Sequence, residues 1–168
     1  MSYPSERFPL DRYPADRYRG AAGETSAHVR RRDAPPELLN RAGSASYLAT
    51  GASTNGQFGL YRWDMDSQRS GPDPHFHRSI SESFFVLSGT VRLYDGNAWI
   101  DVGPGDFMFV PEGGVHGFRN ESGEPASMLL LFAPGAPREG YFEGLADLAG
   151  KSETERAEFM AFHDTYWI

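Results

Sequence analysis

His75-Phe76-His77-Arg78-Ser79-Ile80-Ser81-Glu82-Ser83-Phe84-Phe85-Val86-Leu87-Ser88-Gly89 is the stretch that decides how this chain folds. Two histidines stand one residue apart, a glutamate follows after a short polar bend, and an apolar run stops at a glycine. Alternate side chains of a strand share a face. His75 and His77 therefore face one interior while Phe76 packs outward. Glu82, Phe84 and Val86 share a face, and Phe85 and Leu87 look to the other side, which then needs a cover. A second stretch, Gly105-Asp106-Phe107-Met108-Phe109-Val110-Pro111-Glu112-Gly113-Gly114-Val115-His116, sets another histidine after a Pro-Glu-Gly-Gly turn. Three of the five histidines of the chain lie in these two stretches.

Three imidazoles and one carboxylate suit a divalent transition ion. The chain has no cysteine, so thiolate zinc sites and disulfides are excluded and any donor is His, Asp, Glu or backbone. Each residue alone has an ordinary explanation. The histidine pair fits a surface strand, Glu82 fits solvent, His116 fits a turn cap, and Gly113 and Gly114 fit positive φ. The spacing of all four toward one point is what favours a metal: His75, His77, Glu82 and His116.

Outward from this stretch, residues 46–50, 58–65, 83–87, 91–94, 98–102, 106–110, 115–120 and 128–132 read as short strands divided by Gly/Pro turns. Asp95-Gly96-Asn97 is a hairpin signal. Such spacing points to an all-β sandwich or barrel. After it the period changes. Residues 137–149 read as a helix, and Ser152-Glu153-Thr154-Glu155 is a capping box opening a second one with Phe159, Met160 and Phe162 on one side. The two helices are expected to cover an end or outer face of the barrel, and Trp167 to tie the terminus down. This divides the chain into an N-terminal arm or tail (1–44), a barrel (45–133) and a C-terminal helical extension (134–168).

The arm carries a period-five repeat of acid, arginine and aromatic from Glu6 to Gly20, which fits neither helix nor strand. It reads either as a disordered tail or as an arm that packs its aromatics on the domain or on a neighbouring subunit. The first 41 residues hold eight basic and six acidic residues, and the net charge of the whole chain is −7. That balance argues against nucleic acid, and Arg30-Arg31-Arg32 reads as a solvated patch. No apolar stretch approaches the roughly 20 residues of a membrane span, and no signal peptide is visible, so a cytoplasmic protein is expected.

At this point the sequence resembles the cupin superfamily. The family's first motif is matched by His75-x-His77, four residues, Glu82, six residues and Gly89. The second is matched by Gly105, five residues, Pro111-x-Gly113, two residues, His116, three residues and Asn120. Fifteen residues, 90–104, separate them, and the departure is Gly71, which has only three residues between it and His75. The resemblance covers about residues 45–133 and implies a double-stranded β-helix, a jelly-roll barrel with the metal inside, as a homodimer. Ala133-Pro134-Gly135 with Tyr141-Phe142-Glu143 is similar to the extension of small bacterial cupins of the flavonol-dioxygenase-like group.

Four protein ligands leave open positions on an octahedral ion, as catalysis requires. Iron, manganese, nickel, cobalt or zinc fits this donor set. Phe84, Val86, Phe118, Tyr61 and Trp63 are the expected pocket wall, suited to a flat organic ligand. Glu82, a carboxylate in an apolar pocket, is also expected to have a raised pKa and to serve as a base. The leading expectation is a metal-dependent dioxygenase acting on a small aromatic or enolic compound. A metal-dependent isomerase or polyketide-type cyclase, and a non-catalytic ligand-binding cupin, are the alternatives.

Overall fold

The computed structural model describes residues 13–168. The first unit of the five-residue repeat and the start of the second lie outside the described residues. Two compact units divide the chain at Arg31–Arg32. The described part of the first unit, residues 13–31, carries no helix or strand.

The second unit is built on strands in chain order: β1 (Leu38–Asn40), β2 (Gly43–Ala49), β3 (Gly59–Met65), β4 (His75–Phe76), β5 (Ser81–Ser88), β6 (Val91–Tyr94), β7 (Trp99–Val102), β8 (Phe107–Val110), β9 (Gly117–Arg119) and β10 (Ala126–Ala133). Helix α1 (Arg138–Gly144), a 3-10 turn (Leu145–Leu148), helix α2 (Glu153–Phe162) and strand β11 (Tyr166–Trp167) follow. Six strands form one antiparallel sheet in the order β1-β2-β3-β10-β5-β8, β7-β6-β9 form a second, and β11 pairs β4.

The two larger sheets meet across a shared core, as a jelly-roll barrel does. Tyr61, Met65, Phe84, Val86, Met128, Leu130 and Phe132 come from the six-stranded sheet, and Val91, Leu93 and Phe118 from the other. Burial of each large apolar side chain here is worth about 1.5–3 kcal/mol. Strand β10 shows the alternation plainly. Met128, Leu130 and Phe132 are buried, whereas Leu129 and Leu131 are only half-buried. On β5 the inner residues Glu82, Phe84 and Val86 are buried, while Phe85 and Leu87 remain 40% and 38% exposed, so the described residues do not fully cover that outer face.

Two motif residues are structural. Gly89 has φ +73°, and a Cβ there would lie 2.5 Å from the carbonyl oxygen of Pro125, so only glycine fits between β5 and β6. Asn120 is fully buried and pins a loop, its Nδ2 donating to the carbonyls of Asp66 and Glu124, both at 2.8 Å.

Three sequence expectations are corrected. The sheet begins at Leu38, so residues 38–44 form β1, the turn after it and the start of β2 rather than part of the arm; three-residue β1 is too short to show a period. The helix expected over 137–149 ends at Gly144 and tightens into the 3-10 turn. Gly144 lies against the Phe159 ring, where a Cβ would be 2.6 Å from a ring carbon, and this close approach lets α2 pack. Phe159 and Met160 pack on the core, but Phe162 is 84% exposed because it has turned past the contact face. The capping box forms as expected, with Ser152 accepting from the Glu155 backbone N–H and Glu155 from that of Ser152. Among the described residues no helix is long and apolar enough to cross a membrane.

Candidate metal centre

His75 opens β4, His77 follows it, Glu82 lies near the start of β5, and His116 immediately precedes β9. The backbone joins them before the side chains do. His75 and His116 exchange reciprocal N–H···O=C bonds of 2.8 Å each, and the His77 carbonyl accepts from Gly113 N–H at 2.7 Å. One donor atom from each of the four side chains lies within 4.8 Å of all the others, and all four residues are buried. Their ring centroids stand 4.4–5.2 Å apart.

The hydrogen bonds fix what faces the centre. Nδ1 of His75 contacts the Asp73 carbonyl at 2.8 Å, that of His116 the Gly114 carbonyl at 2.9 Å, and that of His77 the Asp164 carbonyl at 2.6 Å. A carbonyl only accepts, so each Nδ1 carries the proton and donates. Each neutral ring then presents a bare Nε2 lone pair. Nε2 of His77 and of His116 point at Oε2 of Glu82, at 3.1 and 2.9 Å. Lone pairs facing a carboxylate repel unless a cation lies among them, and backbone carbonyls behind ligand imidazoles are the usual outer support of a metal site. The donor set therefore fits a divalent transition ion.

Titration behaviour shows the same demand for positive charge. Burial, helped by His116, pushes His75 down to about 4 and keeps it neutral. Burial also pulls His116 down, but the Glu82 carboxylate outweighs it and the net shift is upward. Burial pushes Glu82 up, but His116 and His77, when they carry a proton at Nε2 in place of an ion, outweigh this and hold its carboxyl well below the usual range. The raised pKa expected for Glu82 from an apolar pocket is thus overturned, because the carboxylate meets two imidazoles rather than hydrocarbon.

A cavity of about 300 Å³ opens beside His75 and Glu82, walled in part by Trp63, Phe118, Phe142 and Trp167. Of the five expected wall residues, Trp63 and Phe118 line it. Phe84, Val86 and Tyr61 do not, because they point deeper into the core. Phe84 instead backs His116, ring centroids 5.9 Å apart. The Tyr61 hydroxyl donates to Glu139, and its ring sits edge-on to Phe132 and Phe142.

Sequence reasoning missed Arg138, Asp164 and Trp167. Arg138 and Trp167 line the cavity. Trp167 pairs with His75 across β4 and β11, ring centroids 5.2 Å apart. Asp164, at φ +51°, holds His77 by its carbonyl, while its carboxylate accepts from the backbone N–H groups of Arg78 and Ser79 and from the Ser79 hydroxyl. The acceptors for His75 and His116 lie two residues upstream, but the acceptor for His77 lies 87 residues away. Only Trp167, flagged as tying down the terminus, gave a signal in the sequence.

Comparison with known proteins agrees with this picture. Residues 61–132 match the Cupin domain family. A quercetin 2,3-dioxygenase of Bacillus subtilis is 33% identical over 73 residues, 44% of this chain and 21% of that protein. An uncharacterised protein of Aquifex aeolicus is 38% identical over 61 residues, 36% of this chain and 50% of that protein. The chain thus spans half or less of these curated relatives. The structure of the polyketide cyclase RemF from Streptomyces resistomycificus is similar at a TM-score of 0.54 and 26% identity, over 66% of this chain and 81% of that one.

Proposed function

From a chain that belongs to the cupin superfamily, we propose a metal-dependent enzyme acting on a small aromatic or enolic compound, with dioxygenase chemistry as the first reading. One observation carries it: three bare imidazole nitrogens and a carboxylate converge at the wall of an aromatic-lined cavity. His75, His77 and His116 would hold the ion through Nε2, and Glu82 through Oε2. The ion, iron, manganese, nickel, cobalt or zinc, supplies Lewis-acid or one-electron chemistry at a substrate oxygen. Trp63 and Phe118 offer flat faces that orient a planar ligand, and the buried setting excludes water from the donors. Glu82 holds the ion in this proposal rather than moving a proton, since its carboxyl is depressed.

The likeness to RemF spans more of both chains than that to the dioxygenase, and favours cyclisation as the second reading. Elemental analysis of protein purified without added metal, with oxygen uptake over a panel of phenolic and enolic compounds, decides between them. Stoichiometric metal with oxygen consumed supports the first. Metal and turnover without oxygen uptake support the second. Absence of any bound transition metal removes both.

A homodimer is part of the proposal. Phe85, Leu87 and Phe107 form an exposed apolar face on β5 and on β8, the last strand of its sheet. The face carries no charge, and a strand at a sheet edge can pair with its own copy. Phe107→Glu is expected to shift sedimentation from dimer to monomer while metal content holds. A wild-type monomer at all concentrations ends this part of the proposal.

A further inference from the structure

Two residues in the wall of the cavity beside the metal centre each have a buried polar atom without a partner among the described residues. Arg138, the first residue of α1, is 4% exposed and lines the cavity with His75 and Glu82. Its Nη1 donates to the His163 carbonyl at 2.7 Å and more weakly to Thr165 Oγ1 at 3.4 Å. Its guanidinium carbon lies 4.1 Å from the Tyr141 ring centroid and 5.1 Å from that of Phe132. Among the described residues its Nε–H has no acceptor and no carboxylate forms an ion pair with it. Ser70, in the same wall, has a buried hydroxyl without a partner.

A buried guanidinium is costly without an anion, and a buried unsatisfied donor adds to that cost. Glu82 cannot serve as that anion when an ion is bound, because its charge is then taken up by the metal. A divalent ion, one carboxylate and one guanidinium leave the cavity net positive. The flat walls Trp63, Phe118 and Trp167 complete the specification.

We propose that Arg138 and Ser70 form an oxyanion-recognition subsite, and that the ligand of this cavity is a planar aromatic or enolic acid whose anionic oxygen is bound by Arg138. Ser70 takes a neighbouring oxygen of the same ligand. This rests on the cavity being the substrate site of the proposed enzyme and narrows its substrate class. Arg138 lies outside the matched domain, so selectivity for acids is a property of the C-terminal segment.

Zinc-loaded full-length protein, titrated calorimetrically with benzoate and with its neutral analogue benzamide, tests this. Arg138→Gln is expected to weaken benzoate by at least about tenfold, the loss of one charge-assisted hydrogen bond, while benzamide stays within about twofold. Zinc stoichiometry should be unchanged. Ser70→Ala is expected to weaken 2-hydroxybenzoate by about threefold more than benzoate. Unchanged benzoate affinity in Arg138→Gln, or equal weakening of benzoate and benzamide, overturns the proposal.

A wild-type measurement stands beside these in case the variant does not fold. The Arg138 guanidinium N–H resonances, assigned by their loss in Arg138→Lys, should move on adding benzoate and not benzamide. Resonances indifferent to benzoate refute the subsite. The same spectra recorded on chelator-treated protein separate the two failures. A benzoate shift without zinc keeps the subsite even if elemental analysis removes the metal.

Discussion

The barrel strands and the C-terminal segment divide the candidate site between them. The strands and the residues flanking them contribute every candidate metal donor among the described residues, His75, His77, Glu82 and His116. The segment from Arg138 onward contributes none, yet it supplies the carbonyl behind His77, the indole beside His75 and a guanidinium in the cavity wall. Donors fixed by strand pairing set which ion can sit there. Groups delivered by the tail set how the donors are oriented and what is admitted next to them.

The largest effect should come from the barrel side. His116→Ala removes both a donor and a partner of Glu82, and metal affinity is expected to fall by more than about 100-fold by elemental analysis or competitive chelation. Retention of full occupancy would break the comparison at its root. Asp164→Ala comes next and acts from the tail. It releases the Arg78–Ser79 backbone and strains a left-handed residue, and affinity should drop about 10- to 100-fold with all four donors intact. Asp164→Asn, which tolerates that backbone, should recover part of the loss. An unaffected Asp164→Ala protein would make the tail irrelevant to the ion.

The third expectation concerns protons in chelator-treated protein. His75 titrates near 4 when folded, against an ordinary 6.5. As pH falls through 6.5 the unfolded chain takes up the proton first, so this group destabilises the fold progressively between 6.5 and 4. Its contribution over that window is about 3 kcal/mol. The His75 ring shift in NMR should stay that of the neutral form from pH 7 to about 5; a midpoint near 6.5 would show that the ring is not buried.

The smallest effect sharpens the distinction within the tail itself. Ser152→Ala removes the cap of α2, far from the ion, and should cost about 1 kcal/mol of stability by denaturant melt with metal content unchanged. Glu155, whose hydrogen bonds to Ser152 hold it down at about 2, keeps the box intact above its ordinary 4.5. That support is lost as pH falls from there toward 2, visible as helix loss in circular dichroism.

The donors were legible in the sequence because the pattern that marks them is local. Alternation along a strand sets His75 against His77, and a turn of glycines precedes His116. The wall was legible only in part. Trp63 and Phe118 reach the cavity, but Phe84, Val86 and Tyr61 share the inward face and go to its depth, a distinction of height along the barrel that alternation does not encode. Arg138 and Asp164 were invisible because their roles depend on contacts made across the whole length of the barrel. The depressed Glu82 carboxyl was misjudged for a related reason. Its apolar neighbours in sequence are Phe84 and Val86, whereas its neighbours in space are imidazoles.

The 87-residue separation between His77 and the carbonyl that orients it has a consequence for the order of assembly. The two larger sheets can be paired while Nδ1 of His77 still lacks its acceptor, since that acceptor comes from the tail. Only when Asp164 arrives is the orientation of His77 fixed at Nδ1, so a nascent or trimmed chain ending before that residue is expected to pair its larger sheets and yet hold an ion less tightly.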